Sequence, residues 1–184
     1  MSKSAMHRQQ TFSKPAVAAN TGVLAAQTLP TSGTTVVTVG ITNPDVPRTV
    51  RLKGNQVTTQ GLVVTVVGTD IYDQALTEAV TMGGAFATPT DSVNAFKTVT
   101  SITFPTRGGA SDTISVGLGA ALGLDSLCDA FSFLNTPTAL ITAKAVDVAV
   151  ISKNTVTLAA TLDGTTNQAV EYMPQTHPTG RLWG

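Results

Sequence analysis

The chain is short of charge, cysteine, histidine and aromatic residues. Charged side chains make up 12% of its 184 residues, against roughly 25% in an average soluble domain. The formal net charge is zero, which argues against a general nucleic-acid binder or an anionic-membrane binder, since both rely on a basic excess. Low charge also means weak mutual repulsion, so neighbouring subunits are expected to cover part of this surface. The one cysteine, Cys128, rules out a disulfide within the chain and a cysteine-based metal cluster. Its setting, L-G-L-D-S-L-C-D-A-F, makes it a small buried or half-buried hydrophobe. Aromatic residues are 5%, too few to build platforms for stacking bases or sugars. No apolar run approaches the roughly 20 residues of a membrane span. The N-terminus is basic but has no apolar region of the kind a signal peptide needs.

Hydrophobic residues are 42% of the chain, enough for one packed core. Their spacing is that of strands. T-T-V-V-T-V-G-I, from Thr34, is β-branched almost throughout and suits a pleated surface. In R-T-V-R-L-K-G, Val50 and Leu52 alternate with Arg51 and Lys53, so one face is predicted buried and the other wet. L-V-V-T-V-V-G-T is the most hydrophobic run and is expected to lie centrally with both faces covered. D-I-Y-D-Q is a turn, after which Leu76, Val80 and Met82 share a face that Glu78 interrupts. Phe96, Ile102 and Phe104 share a parity, as do Ile114, Val116 and Leu118. Pro105 ends the first of these strands. Arg107-Gly108-Gly109 reads as a hairpin tip with positive-φ freedom. Further strands are expected across T-A-L-I-T-A-K-A-V-D-V-A-V-I-S, N-T-V-T-L-A-A-T-L and N-Q-A-V-E-Y-M, with Asp163-Gly164 as a hairpin signal. One short helix is expected after Asp125 or Ser126, with Leu127, Ala130, Phe131 and Leu134 at helical spacing.

These elements predict an all-β fold, an antiparallel β-sandwich or barrel-like domain with at most one short helix. The domain is expected over residues 34–173. Residues 1–33 show no clean period of two or of 3.6 and read as an extended N-terminal arm. The arm carries uncovered apolar side chains, among them Phe12, Val17, Leu24 and Leu29, that call for a partner surface in cis or in trans. Residues 174–184 form a C-terminal extension bearing Trp183, the chain's only tryptophan, which is expected to dock at a subunit contact. The contact set is therefore Phe12, Val17, Leu24, Leu29, Arg107 and Trp183. Deleting Met1–Thr28 is expected to leave the β domain folded.

No catalytic constellation stands out. The only histidines, His7 and His177, lie in the two extensions, and no nucleophile has a base placed beside it. Asp70, Asp73 and Glu78 lie too sparsely for a calcium loop, and Asp residues in turns mostly bond their own backbone. Asp91, Asp112, Asp125, Asp129 and Asp163 also read as turn or cap residues rather than a glycosidase pair. Gly117-Leu118-Gly119-Ala120-Ala121-Leu122-Gly123 has its third glycine one residue late for a dinucleotide loop. Those glycines are instead expected to let the chain turn sharply where strands crowd. Neither cofactor nor metal is expected, and the chain is not expected to be an enzyme.

The runs G-T-D-I-Y-D-Q-A-L-T-E-A-V-T-M-G-G, A-F-K-T-V-T-S-I-T-F-P and S-D-T-I-S-V-G-L-G-A-A-L-G-L resemble small structural proteins of tailed bacteriophages. The resemblance covers about Arg48 to Leu124. It implies a β-rich virion module, a head decoration (cement) protein bound to the major capsid protein on the capsid surface and assembled in the host cytoplasm. It also implies homo-oligomers, with trimers around threefold sites, and no catalytic residues. The alternatives are a tail-tube, neck or head–tail connector subunit, and a ligand-binding β-sandwich module.

Overall fold

The computed structural model describes residues 8–83, 88–128, 134–135, 141–158 and 162–172. Among them run β1 (Arg8–Phe12), β2 (Ala19–Thr28), β3 (Thr35–Val37), β4 (Arg48–Gly54), β5 (Val63–Thr69), β6 (Ala75–Thr81) and β7 (Thr90–Phe96). Then come β8 (Thr98–Phe104), β9 (Thr113–Gly123), β10 (Leu134–Asn135), β11 (Ile141–Ala145), β12 (Thr155–Leu158) and β13 (Gln168–Tyr172). Single 3-10 turns occur at Val57–Thr59 and Ile151–Lys153. The protein is all-β, and its described strand pairs are antiparallel.

The strands form three sheets. A large sheet has the order β11-β12-β9-β4-β7, with β2 also paired to β9; a four-stranded sheet has the order β3-β8-β5-β6; and a small sheet has the order β1-β13-β10. β9 is the organising strand. Along one edge it pairs with β4 from Ile114 to Leu122. Its other edge is divided: β2 takes Thr113 to Leu118, and β12 takes Leu122 and Gly123. The glycine run therefore lies within an 11-residue strand and makes no turn. The crowding it was expected to relieve is real. A Cβ on Gly117 would collide with the carbonyl oxygen of Ala19 on β2, so glycine is what lets β2 reach β9.

Because β9 is so long, it serves two hydrophobic cores. Ile114 and Val116 lie in the first core with Val50, Leu52, Val66 and Ile102, between the large and four-stranded sheets. Leu122, followed by Leu124, lies in the second core with Phe12, Val156, Val170 and Tyr172. A fully buried aliphatic or aromatic side chain contributes about 1.5–3 kcal/mol, so the side chains β9 sends into both cores make it the most consequential strand of the fold.

The structure corrects the expected N-terminal arm. β1 pairs with β13 from Arg8↔Tyr172 to Phe12↔Gln168, and β2 pairs with β9. Phe12, Leu24 and Leu29 are buried within the chain's own cores, so they do not face a partner. The missing period has a physical cause. The β2–β9 register shifts between Ala19 and Leu24 and again between Leu24 and Gln27. Such irregularities rotate the strand, and the consecutive residues Val23 and Leu24 both become buried. Val17 is exposed.

Other departures are local. The β5 run lies between β8 and β6 as expected, but only alternate residues are buried, and Val63 on the opposite face is 44% exposed. The β8 and β9 strands do not pair with each other; they belong to different sheets, so residues 105–112 cross between sheets and are no hairpin tip. The same holds for β12 and β13, although Gly164 does take the positive φ of a tight turn, 70°. The long strand expected through Ser152 stops at Ala145. Asp147 bends the chain there by accepting bonds from the Ala149 and Val150 amides. Asp125 and Ser126 form a bend, and Leu134 lies in β10, so the expected helix is absent from its described part. Its residues 129–133 lie outside the described residues, as does the C-terminal extension with Trp183.

Candidate functional site

Acidic side chains are among the groups able to carry chemistry on a β-rich scaffold. The chain has 11 acidic residues. Asp129 lies outside the described residues, and each of the other ten accepts a hydrogen bond. Asp70 takes the amides of Tyr72 and Gln74 at 2.9 and 3.0 Å, which shapes the β5–β6 turn. Asp73, at φ 62°, accepts from Lys97 Nζ at 2.8 Å. Glu78 points inward from β6 and accepts from the Val93 and Asn94 amides at 2.7 and 2.9 Å, and from Asn94 Nδ2 at 2.8 Å. The charge that interrupts the apolar face of β6 is thus a clip to β7 in the other sheet. These three acids have separate partners, and among the described residues no three His, Cys, Asp or Glu side chains converge as a metal site would require.

Asp91 holds Arg51 in a two-pronged pair, 2.6 and 2.9 Å, across β4 and β7. Asp112 is fully buried. It accepts from the Gly108 and Gly109 amides at 3.0 and 2.7 Å and from the Thr58 hydroxyl. Arg107-Gly108-Gly109 does not use the positive-φ freedom expected of it. Neither glycine has a positive φ. Glycine is required because the backbone of Thr58 comes so close that a Cβ on Gly108 would strike its carbonyl oxygen. The loop is tied down, although Arg107 itself is exposed. Asp163 closes its turn through the Thr165 and Thr166 amides, both at 2.8 Å, and those bonds hold its carboxyl far below the usual range.

The densest polar cluster lies where β9 ends. Asp125 accepts from Arg8 at 2.8 Å and from the Tyr172 hydroxyl. Its amide donates to Gln10 Oε1 at 2.9 Å, and its carbonyl accepts from Tyr72. Gln10 also donates to the Gly123 carbonyl at 3.0 Å. Three distant parts of the chain, β1, the β5–β6 turn and β13, meet on one aspartate. Burial, and then the neighbouring Asp125, raise the Tyr172 phenol far above its ordinary value. Tyr172 therefore stays protonated and donates, which is the opposite of what a general base needs. Cys128 is buried nearby in the second core, its amide donating to Asn154 Oδ1 at 3.1 Å.

Two buried polar residues, Arg48 and Asn154, hold the structure together without having stood out as candidate sites in the sequence. Arg48 opens a strand whose parity puts it with the inward Val50 and Leu52, and it is fully buried. Its guanidinium donates to the Gly119 carbonyl at 2.8 Å from Nε, to the Ala16 carbonyl at 2.9 Å, and to Asp45 at 3.1 Å. Burial lowers its pKa, and Asp45 partly offsets this. Asn154, also fully buried, joins the Cys128 and Asp147 amides to the Asp147 and Val150 carbonyls. The parity of Arg48 was the one available signal, since an inward-facing charge demands partners. His7 and His177 lie outside the described residues.

Among the described residues, then, the polar side chains form ties between strands. No buried side-chain nitrogen or oxygen among the described residues lacks a partner. Among the same residues, no helix is long and apolar enough to cross a membrane. No family model matches the chain, and no curated protein or solved structure gives a significant match.

Proposed function

We propose that this chain is a structural protein of a tailed-phage virion, a decoration protein that binds the major capsid protein on the outside of the head and stabilises the shell. The observation that carries the reading is the commitment of its acids to internal ties, joined to the low overall charge. A surface poor in charge favours life within an assembly over life as a free monomer. The resemblance of Arg48–Leu124, which spans β4 to β9, supports the same reading. Shell contact falls to exposed parts of the body, including Val17 and Arg107, and not to Phe12, Leu24 or Leu29. The protein acts as a homo-oligomer, without nucleic acid or cofactor and without catalysis.

The test is co-sedimentation of purified full-length protein with expanded empty capsids of its own phage. Saturable binding is expected. A protein that stays in the supernatant at all concentrations overturns the reading. Native mass separates it from a tail-tube, neck or connector subunit, whose rings would have sixfold or twelvefold order.

A further inference from the structure

The four-stranded sheet has two unlike faces. Its inward face carries Val64, Val66, Ile102 and Phe104 into the first core. The outward face is built in cross-strand rows. One row runs Val36–Thr103–Thr65–Ala79, and the next runs Ser101–Val67–Thr77. Val36 is 58% exposed and Val63 44%, and the outward positions of β6 are exposed along its whole length. The strands β3, β5, β6 and β8 contain one charged residue, Glu78, and it points inward to β7. The outward face therefore carries no charge at all. The large sheet differs, since its outward positions on β4 and β7 hold Arg51, Lys53 and Asp91. A sheet face turned to water normally carries Lys or Glu, which oppose association.

We propose that this outward face is a self-association surface, packed in solution against the same face of a second copy of the chain. A two-fold contact sets a patch against itself, so any charge on it would meet its own sign. A face of Val, Thr, Ala and Ser avoids this and leaves no ion desolvated on closing. A charged partner would bury unpaired charge against it, whereas a second copy brings the same uncharged rows to the contact. Size agrees. With strands about 4.8 Å apart and about 3.3 Å per residue, the sheet offers roughly 400 Å² per copy, or roughly 800 Å² across a pair before its rim is counted. That is the range of weak, reversible association rather than an obligate dimer. The proposal stands on the sheet alone and holds whether or not the protein decorates a capsid.

The experiment is sedimentation equilibrium of the full-length protein from micromolar to near-millimolar concentration. The wild type is expected to double the mass of the species present at dilution. Thr65→Lys, half-buried at the middle of the face, is expected to weaken that doubling at least tenfold. Thr65→Glu is expected to do the same, and an equimolar mixture of the two to restore it. If Thr65→Lys fails to fold by far-ultraviolet circular dichroism, Ala79→Lys on the exposed edge strand gives the same reading. A wild type with no doubling overturns the proposal. So does doubling that survives Lys at either position, which would assign it to another surface. A wild type that does not double, but whose capsid binding is lost in Thr65→Lys, gives the face to the shell and also overturns it.

Discussion

The two cores on either side of β9 are built by different means. The first lies between two sheets and is filled by alternating Val, Leu, Ile and Phe side chains. The second gathers β1, β12, β13 and the end of β9, and its rim is polar, with Asp125, Gln10, Arg8 and Tyr172 bonded together. The first core follows from an apolar stripe on each strand, so hydrophobic burial alone goes far toward specifying it. The second joins residues 8–12 to residues 168–172. Closing so long a loop adds to the entropy that packing must offset, and short strands give few ladder bonds to offset it. Directional bonds on Asp125 and Asn154 fix which segments meet.

The largest test of this contrast removes the segment that enters both cores. Deleting Met1–Thr28 takes Phe12 from the second core and Val23 and Leu24 from the first, and bares one edge of β9. The truncated chain is therefore expected to lose cooperative unfolding in urea, contrary to the expectation of a dispensable arm. A sharp transition in the truncated protein would show that β2 is an accessory to the fold. Next in size come Phe96→Ala in the first core and Leu122→Ala in the second. By large-to-small precedent they cost about 3–5 and about 2–5 kcal/mol. Since β9 runs through both cores, each is expected to move one shared urea transition. Two separate transitions in either variant would mean that the cores are independent units.

How much of this was legible beforehand divides along the same line. The first core could be read from parity. Val50 with Leu52, Ile102 with Phe104, and Ile114 with Val116 are buried as alternation requires; Phe96 is buried too, but the single strand expected to hold it with Ile102 and Phe104 is broken at Lys97 into β7 and β8, which belong to different sheets. The β5–β6 hairpin at D-I-Y-D-Q is also where the turn residues put it. Pairing partners were not legible, because period two tells which face a residue occupies and not which strand lies alongside. Hence β8 and β9 looked like a hairpin when they belong to two sheets. The N-terminal strands escaped notice because register shifts in β2 erase the period. The second core depends on Asp125 and Asn154, whose longest ties reach 117 and 26 residues along the chain, too far for any local motif to reveal. The expectation of no catalytic constellation rested on residue types alone; what the structure adds is where the ten described acids are tied.

The smallest effects expected are those of pH, and they fall on opposite sides of neutrality for different reasons. Tyr172 belongs to the second core, and its phenol is raised in the folded state. A group raised in this way supports the fold fully below its unfolded value, about 10, and that support is lost as pH rises further. Between pH 8 and 11.5 the urea midpoint of the wild type is expected to fall more steeply than that of Tyr172→Phe. Equal slopes would mean that the Tyr172 phenol is not held buried and protonated against Asp125 in the second core. On the acid side, Asp147 and Asp163 are lowered by the backbone amides they cap. Their support is present above the unfolded carboxyl value, about 3.9, and is lost as pH falls through the folded values. Asp163 is exposed and Asp147 only half-buried, so this limb is the weaker one. Asp163→Asn keeps an acceptor for the Thr165 and Thr166 amides but cannot titrate. It is expected to flatten the dependence below pH 4 while leaving the alkaline limb untouched. A variant that flattened both limbs would show the Asp163 turn coupled to Tyr172 through β13, and the polar rim would then act as one unit rather than as separate ties.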